Sequence, residues 1–197
     1  MAAGPVTHSW RRIDSWLRDC APRTFRAQPP PATRGEIAAA EVSLGLTFPE
    51  QLTASLLCHN GGDQLRLPCV YSLLSADEIV DHQRLQVEIE NDTRAEYLAH
   101  GIPLEIGGRY ARWHPAWIPF AGDAGGGYLV LDTRPGPCRG RVGTRDEIGR
   151  SEFPPGSTRA SLAGFLEAVA DALEGNEMLD GYEPTVEDGA LSWRTDG

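Results

Sequence analysis

The sequence predicts an α+β chain, with helices at both ends and a sheet between them. Two observations carry this. Apolar residues recur every three or four positions between Trp10 and Ile89 and again between Leu162 and Leu173, and from Trp113 onward the period falls to two.

Trp10, Ile13, Leu17 and Cys20, with Trp16 beside them, mark one face of a first helix that Pro22 ends. Residues 28–33, QPPPAT, form an extended connector, because each proline fixes φ and pushes its predecessor out of the helical region. Thr33 and Glu36 make a capping box. Ile37, Ala40 and Leu44 then share a face, and Gly45 suits a left-handed closing residue, so a second helix spans about 34–44. Pro49 opens a short third helix carrying Leu52, Leu56 and Leu57, which HNGG, His59 to Gly62, stops. Residues 63–74 read as one or two brief strands. Ser75 and Glu78 are a second capping box, opening a longer helix along Ile79, Leu85 and Ile89 that frays or breaks near Asn91 and Asp92 and is over by Gly101.

WIPF and YLVLDT are rich in β-formers. In the second, Leu129 and Leu131 point one way and Tyr128, Val130 and Asp132 the other. Residues 138–145 are a third strand weakened by glycines. Leu162, Phe165, Leu166, Val169 and Leu173 then form a helical stripe from about Ser161 to Glu174, closed by Gly175. Beyond it the residues are acidic and peripheral, with Leu191 and Trp193 suited to a small strand.

At 197 residues and 21.4 kDa the chain suits a single domain, with a core over about 9–174 and an acidic C-terminal extension over about 175–197. No apolar run approaches the roughly 18 residues of a membrane span, and the first residues lack the charged, apolar and small-residue regions of a secretory signal. The expectation is a cytoplasmic protein with no membrane partner. Cys20, Cys58, Cys69 and Cys138 form no C-x-x-C pair, which points to buried thiols rather than a disulfide framework or a zinc site. Net charge is −10, unevenly placed: residues 1–35 hold six arginines against two acids, and residues 167–197 hold nine acids against one arginine. Such a chain repels phosphate backbones, so direct nucleic-acid binding is not expected, whereas a basic protein partner is attracted.

The stretch WIPFAGDAGGGYLVLDT, Trp117 to Thr133, is the one that invites a ligand. A P-loop needs a lysine on the phosphates, and the chain has none. A dinucleotide fingerprint begun at Gly125 and Gly127 needs a third glycine where Val130 stands, and a strand rather than a helix follows. A calcium loop needs oxygen ligands at alternate positions, whereas Asp123 is followed by Ala124 and glycines. What survives is a hairpin loop in which glycines take positive φ and Asp123 bonds a nearby amide.

Cys58 beside His59 does not make a nucleophile and base, since adjacent helical residues point about 100° apart. His114, between Trp113 and Pro115, reads as a surface residue with an aromatic neighbour. Asp77 and Asp81 share a helical face, and Glu88, Glu90, Asp92 and Glu96 crowd one segment. Only burial would fit such carboxylates for acid catalysis. No catalytic residue, metal ligand or cofactor site is predicted, and the chain is not expected to be an enzyme.

Taken in order, SWRRIDSWL, then PPPATRGEIAAAEVSLGLTFPEQL, NGG, LLSADEI, WIPFAGDAGGGYLVLD and SLAGFLEAV resemble the SMI1/KNR4 family of the SUKH superfamily, from about Ser9 to Leu173. The helix after Ser75, the segment up to Trp113 and the proline-rich loop Pro135 to Arg139 depart from the pattern. The resemblance implies an α+β fold in which N-terminal helices and a C-terminal helix pack on a mostly antiparallel sheet. It places Trp117, Ile118 and Phe120 in the core, with Gly126 and Gly127 serving the backbone, and it brings no catalytic motif. Bacterial members are implied to be immunity proteins that neutralise a cognate toxin, and fungal relatives to regulate cell-wall synthesis through protein contacts. The first expectation is therefore an immunity protein whose partner is a basic toxin domain. Glu88, Glu90, Asp92 and Glu96 would form the partner-binding acidic face. The alternative is a regulatory or scaffold protein in wall synthesis or signalling.

Overall fold

Prolines, capping boxes and left-handed glycines set most of the boundaries. The computed structural model describes residues 3–68, 71–102, 112–154, 156 and 158–195. Helix α1 (Ala3–Cys20) begins about two turns before Trp10, and Val6, Trp10, Ile13 and Leu17 are its buried face. Cys20 is exposed, contrary to a place on that face; Cys58 and Cys138 are partly buried, and Cys69 lies outside the described residues. Pro22 both ends α1 and opens α2 (Pro22–Arg26), since a proline suits the first turn, where its missing N–H is not needed.

Helix α3 (Arg34–Leu44) has the expected capping box: the Thr33 hydroxyl accepts the Glu36 N–H at 3.2 Å, and the Thr33 N–H donates to Glu36 Oε2 at 2.6 Å. Gly45 closes it at φ 63°. Pro49 is the N-cap of α4 (Glu50–Leu56) rather than its first residue. The NGG turn after α4 is a joint. Asn60 Oδ1 accepts the Ala76 N–H at 2.8 Å, and Gly61, at φ 85°, lies so close to the next helix that a Cβ would stand 2.8 Å from the Ser75 backbone nitrogen.

Strands β1 (Gly62–Arg66) and β2 (Ser72–Leu73) lead to α5 (Ala76–Ala99), opened by the Ser75–Glu78 box. This helix runs 24 residues without a break at Asn91 or Asp92, and Gly101 follows its end at φ 77°. Strands β3 (Trp117–Gly122), β4 (Tyr128–Asp132), β5 (Val142–Arg145) and β6 (Ser151–Glu152) complete a six-stranded sheet. Its order is β1-β2-β3-β4-β5-β6, antiparallel throughout, so each strand pairs with its neighbours in the chain. Residues 138–141 make a turn instead of starting the third predicted strand. Pro119 sits at a bulge, where a strand interior tolerates a residue without an N–H.

Every residue of β4 is buried because both faces of the sheet are covered. Tyr128 meets α5 on one face, its hydroxyl 2.9 Å from His82 Nδ1. On the other face Phe120 meets Phe165 of α6 (Leu162–Gly175), with ring centroids 6.1 Å apart. Trp117, Ile118 and Phe120 are core residues, as the resemblance implied. Helix α6 packs on α1 and is closed by Asn176 in the left-handed region, one residue later than Gly175. Past it, β7 (Tyr182–Glu187) and β8 (Ala190–Thr195) form a hairpin that includes the strand suggested by Leu191 and Trp193. That hairpin is not peripheral. Both side chains are buried, the Leu191 N–H donates to Thr24 Oγ1 at 2.9 Å, and Trp193 Nε1 donates to the Arg66 carbonyl at 2.8 Å.

Candidate functional site

The glycine loop between β3 and β4 spends its carboxylate on itself. Asp123 Oδ1 accepts the N–H groups of Gly125 and Gly127, each at 2.8 Å, and the Asp123 N–H donates to the Gly127 carbonyl at 3.0 Å. A Cβ on Gly127 would lie 2.5 Å from Asp123 Oδ2, and Gly126 has φ 88°. The loop is therefore an Asp-capped hairpin turn whose glycines answer to that aspartate. Among the described residues, no group of three or more histidines, cysteines and acids is gathered in a way that could hold a metal ion.

Cys58 and His59 point into packing against α1. His59 Nε2 is 3.0 Å from Asp14 Oδ1, close but out of line for a hydrogen bond, and its ring centroid is 4.6 Å from that of Trp10. Burial, and then the charge of Asp14, push the Cys58 thiol above its ordinary range, which keeps it protonated and weakly nucleophilic. His114 is half-buried rather than on the surface: its Nδ1 accepts the Ala116 N–H at 3.0 Å, and burial followed by Arg134 lowers its pKa. Asp77 and Asp81 are exposed on α5.

The four acids expected to share a face divide. Glu88, Asp92 and Glu96 are exposed, at intervals of four along α5, and none has an ion pair among the described residues. Glu90 is turned inward and 6% exposed, where its Oε2 accepts the N–H groups of Arg112 at 2.9 Å and Trp113 at 3.2 Å. Glu90 is thus a buried anchor for the chain entering β3 and leaves the acidic face. Helical geometry was the signal that could have found this, since residues two apart point about 200° apart.

The same rotation overturns the expected apolar stripe. Ile79 is buried, but Leu85 and Ile89 are 48% and 37% exposed, while Gln83 and Gln86 take inward positions. They do so because the core offers them partners: Gln83 Nε2 donates to the Pro115 carbonyl at 2.8 Å and its Oε1 accepts Trp113 Nε1 at 3.2 Å.

An antiparallel meander with helices on both faces and an Asp-capped hairpin between its central strands defines an α+β domain whose exposed α5 surface is acidic and partly apolar. The family model of the SMI1/KNR4 family (SUKH-1) matches residues 31–152, and the chain belongs to that family. It is similar to the cell wall biosynthesis/cell cycle regulator smi1 of Schizosaccharomyces pombe, 29% identical over 89% of this chain and 37% of that protein. It is also similar to the glucan synthesis regulatory protein of Neurospora crassa, 27% identical over 85% of this chain and 38% of that protein. The cell wall assembly regulator SMI1 of Saccharomyces cerevisiae is 25% identical over 87% of this chain and 41% of that protein. The chain thus spans well under half the length of these relatives, which are named as regulators. No helix among the described residues is long and apolar enough to cross a membrane.

Proposed function

We propose that the chain is a protein-binding regulatory domain of the SMI1/KNR4 type, acting in cell-wall synthesis through contacts made by the exposed acids of α5. The observation that carries this is the match, over most of the chain, to relatives whose names state wall synthesis and its regulation. Those names favour the regulatory alternative over the immunity protein that was the first expectation, and a toxin partner has no support in them. The surface supports a binding role: Glu88, Asp92 and Glu96 are solvated, and two large aliphatic side chains stand beside them on α5.

A domain exchange tests it. The matching region of the S. pombe relative is replaced by this chain in cells lacking the native protein, and incorporation of labelled glucose into wall glucan is measured. Restored incorporation supports the reading. Failure with the exchanged protein folded and abundant counts against it, and capture of a basic toxin domain from the native host would return the immunity reading.

A further inference from the structure

Between the end of α3 and the middle of α5 runs a groove of about 550 Å³ with an apolar floor and an acidic side. Leu44, Leu46, Val87 and Pro115 line the floor, and Glu88 and Asp92 stand at one edge. Gln83 also borders it, but its amide is turned to Pro115 and Trp113. Arg84 ties the two helices together, its Nη2 donating to the Ser43 carbonyl at 3.0 Å and to Ser43 Oγ at 2.7 Å.

Size and charge decide the occupant. A volume in this range takes a compact apolar anchor. The row from Glu88 through Asp92 to Glu96 continues along α5 for about 12 Å at ~1.5 Å per residue, about two helical turns and longer than any one side chain. Basic residues four and eight apart on a partner helix match that repeat, and they meet carboxylates that make no ion pair among the described residues, the nearby Arg84 being turned to Ser43. Leu85 and Ile89 flank the row on the side away from the groove, so a helix lying there finds apolar contact on both sides of the charges.

We propose that this groove seats a short amphipathic helix of a partner protein. An aliphatic side chain of that helix rests on Leu44, Leu46 and Val87, and arginines or lysines spaced by four face Glu88, Asp92 and Glu96. This rests on the reading of the chain as a protein-binding domain and adds where and what it binds.

The probe is a stapled helical peptide of about four turns, with leucines on one face and arginines at every fourth position beside them. A twin carries glutamates for the arginines. Titrated into the full chain with labelled leucine and valine methyls, the arginine peptide shifts the Leu44, Leu46 and Val87 signals and the twin does not. The double variant Glu88→Arg/Asp92→Arg keeps its melting temperature and binds about tenfold or more weakly.

Shifts confined to other methyls, equal binding of the twin, or indifference to charge reversal would each overturn the proposal, as would a dimer in sedimentation with the groove methyls covered. Photocrosslinking in cells separates the two levels. A partner caught from another face, with the peptide inert, removes only the groove; no partner caught from any face of the folded chain removes the protein-binding reading itself.

Discussion

Replacing Asp123 by alanine distinguishes a carboxylate that builds a turn from one held ready for a ligand. The carboxylate accepts two backbone N–H groups at 2.8 Å, and both belong to glycines whose loop joins the central strands β3 and β4. Hydrogen bonds to a charged group are worth ~1.5–3 kcal/mol each, but Gly125 is exposed and its N–H can turn to water. Counting the buried Gly127 N–H nearly in full and the Gly125 N–H at a fraction gives a loss of about 2–3 kcal/mol.

For a chain of this size each kcal/mol moves the melting temperature by roughly 2–4 °C, so Asp123→Ala lowers it by about 4–12 °C. Asp123→Asn, which keeps an Oδ1 acceptor but loses the charge, recovers about half of that. Calorimetry measures the melting temperature, and urea unfolding with an unchanged slope confirms that the folded state is what lost stability. A shift under about 1 °C for alanine, or a rise, would refute the turn argument, because removing a carboxylate kept for a ligand relieves strain instead of creating it.

Glu90→Ala strands two backbone donors and costs about 2–4 kcal/mol in urea unfolding, while Glu88→Ala, two residues away on the solvated side, stays within about 0.5 kcal/mol. His114 titrates lower in the folded chain than its ordinary value of 6.5, so the unfolded chain takes up its proton first. Stability from this group is present above that value and is lost as pH falls through the lower, folded pKa. Unfolding curves between pH 7.5 and 5 therefore fall more steeply for the native chain than for His114→Gln, and parallel curves would show that the histidine is not the cause.

The elements with local chemistry were legible in the sequence. Thr33 with Glu36 and Ser75 with Glu78 announce helix starts because a capping box is complete within four residues. The β3–β4 hairpin was legible for the same reason: its Asp and glycines need only each other. What failed needed distant partners. Gln83 and Gln86 are polar residues at buried positions because Trp113, Pro115 and Tyr128 supply hydrogen bonds, and nothing within α5 signals them. A stripe read from α5 alone therefore runs through Leu85 and Ile89 and counts Glu90 with the exposed acids. The β7–β8 hairpin was obscured likewise, since Leu191 and Trp193 stand in an acidic stretch and owe their burial to α2 and β1, which are distant in the chain.

The two acidic regions of the sequence also differ in a way that composition hides. In the C-terminal one, Asp171 and Glu174 pair with Arg12, Asp180 with Arg159 and Glu187 with Arg194, and Glu183 accepts from Asn176. The exposed pair of Glu187 with Arg194 adds little stability and Arg159 is largely buried, but each pair sets a cation beside a carboxylate and so weakens the local field that a partner would feel. On α5 the field of Glu88, Asp92 and Glu96 is not cancelled in this way. At 0.1 M salt the screening length is ~10 Å, about the length of that row, so a bound basic helix feels the row and little of the charge beyond it. Neutralising Glu88 and Asp92 as Gln and Asn should therefore slow association of the arginine peptide several-fold in stopped-flow mixing at low salt and flatten its salt dependence. Neutralising Asp171 and Glu187 should change neither. Equal slowing by both pairs would mean that the peptide answers to the net charge of the chain and that α5 presents no site of its own.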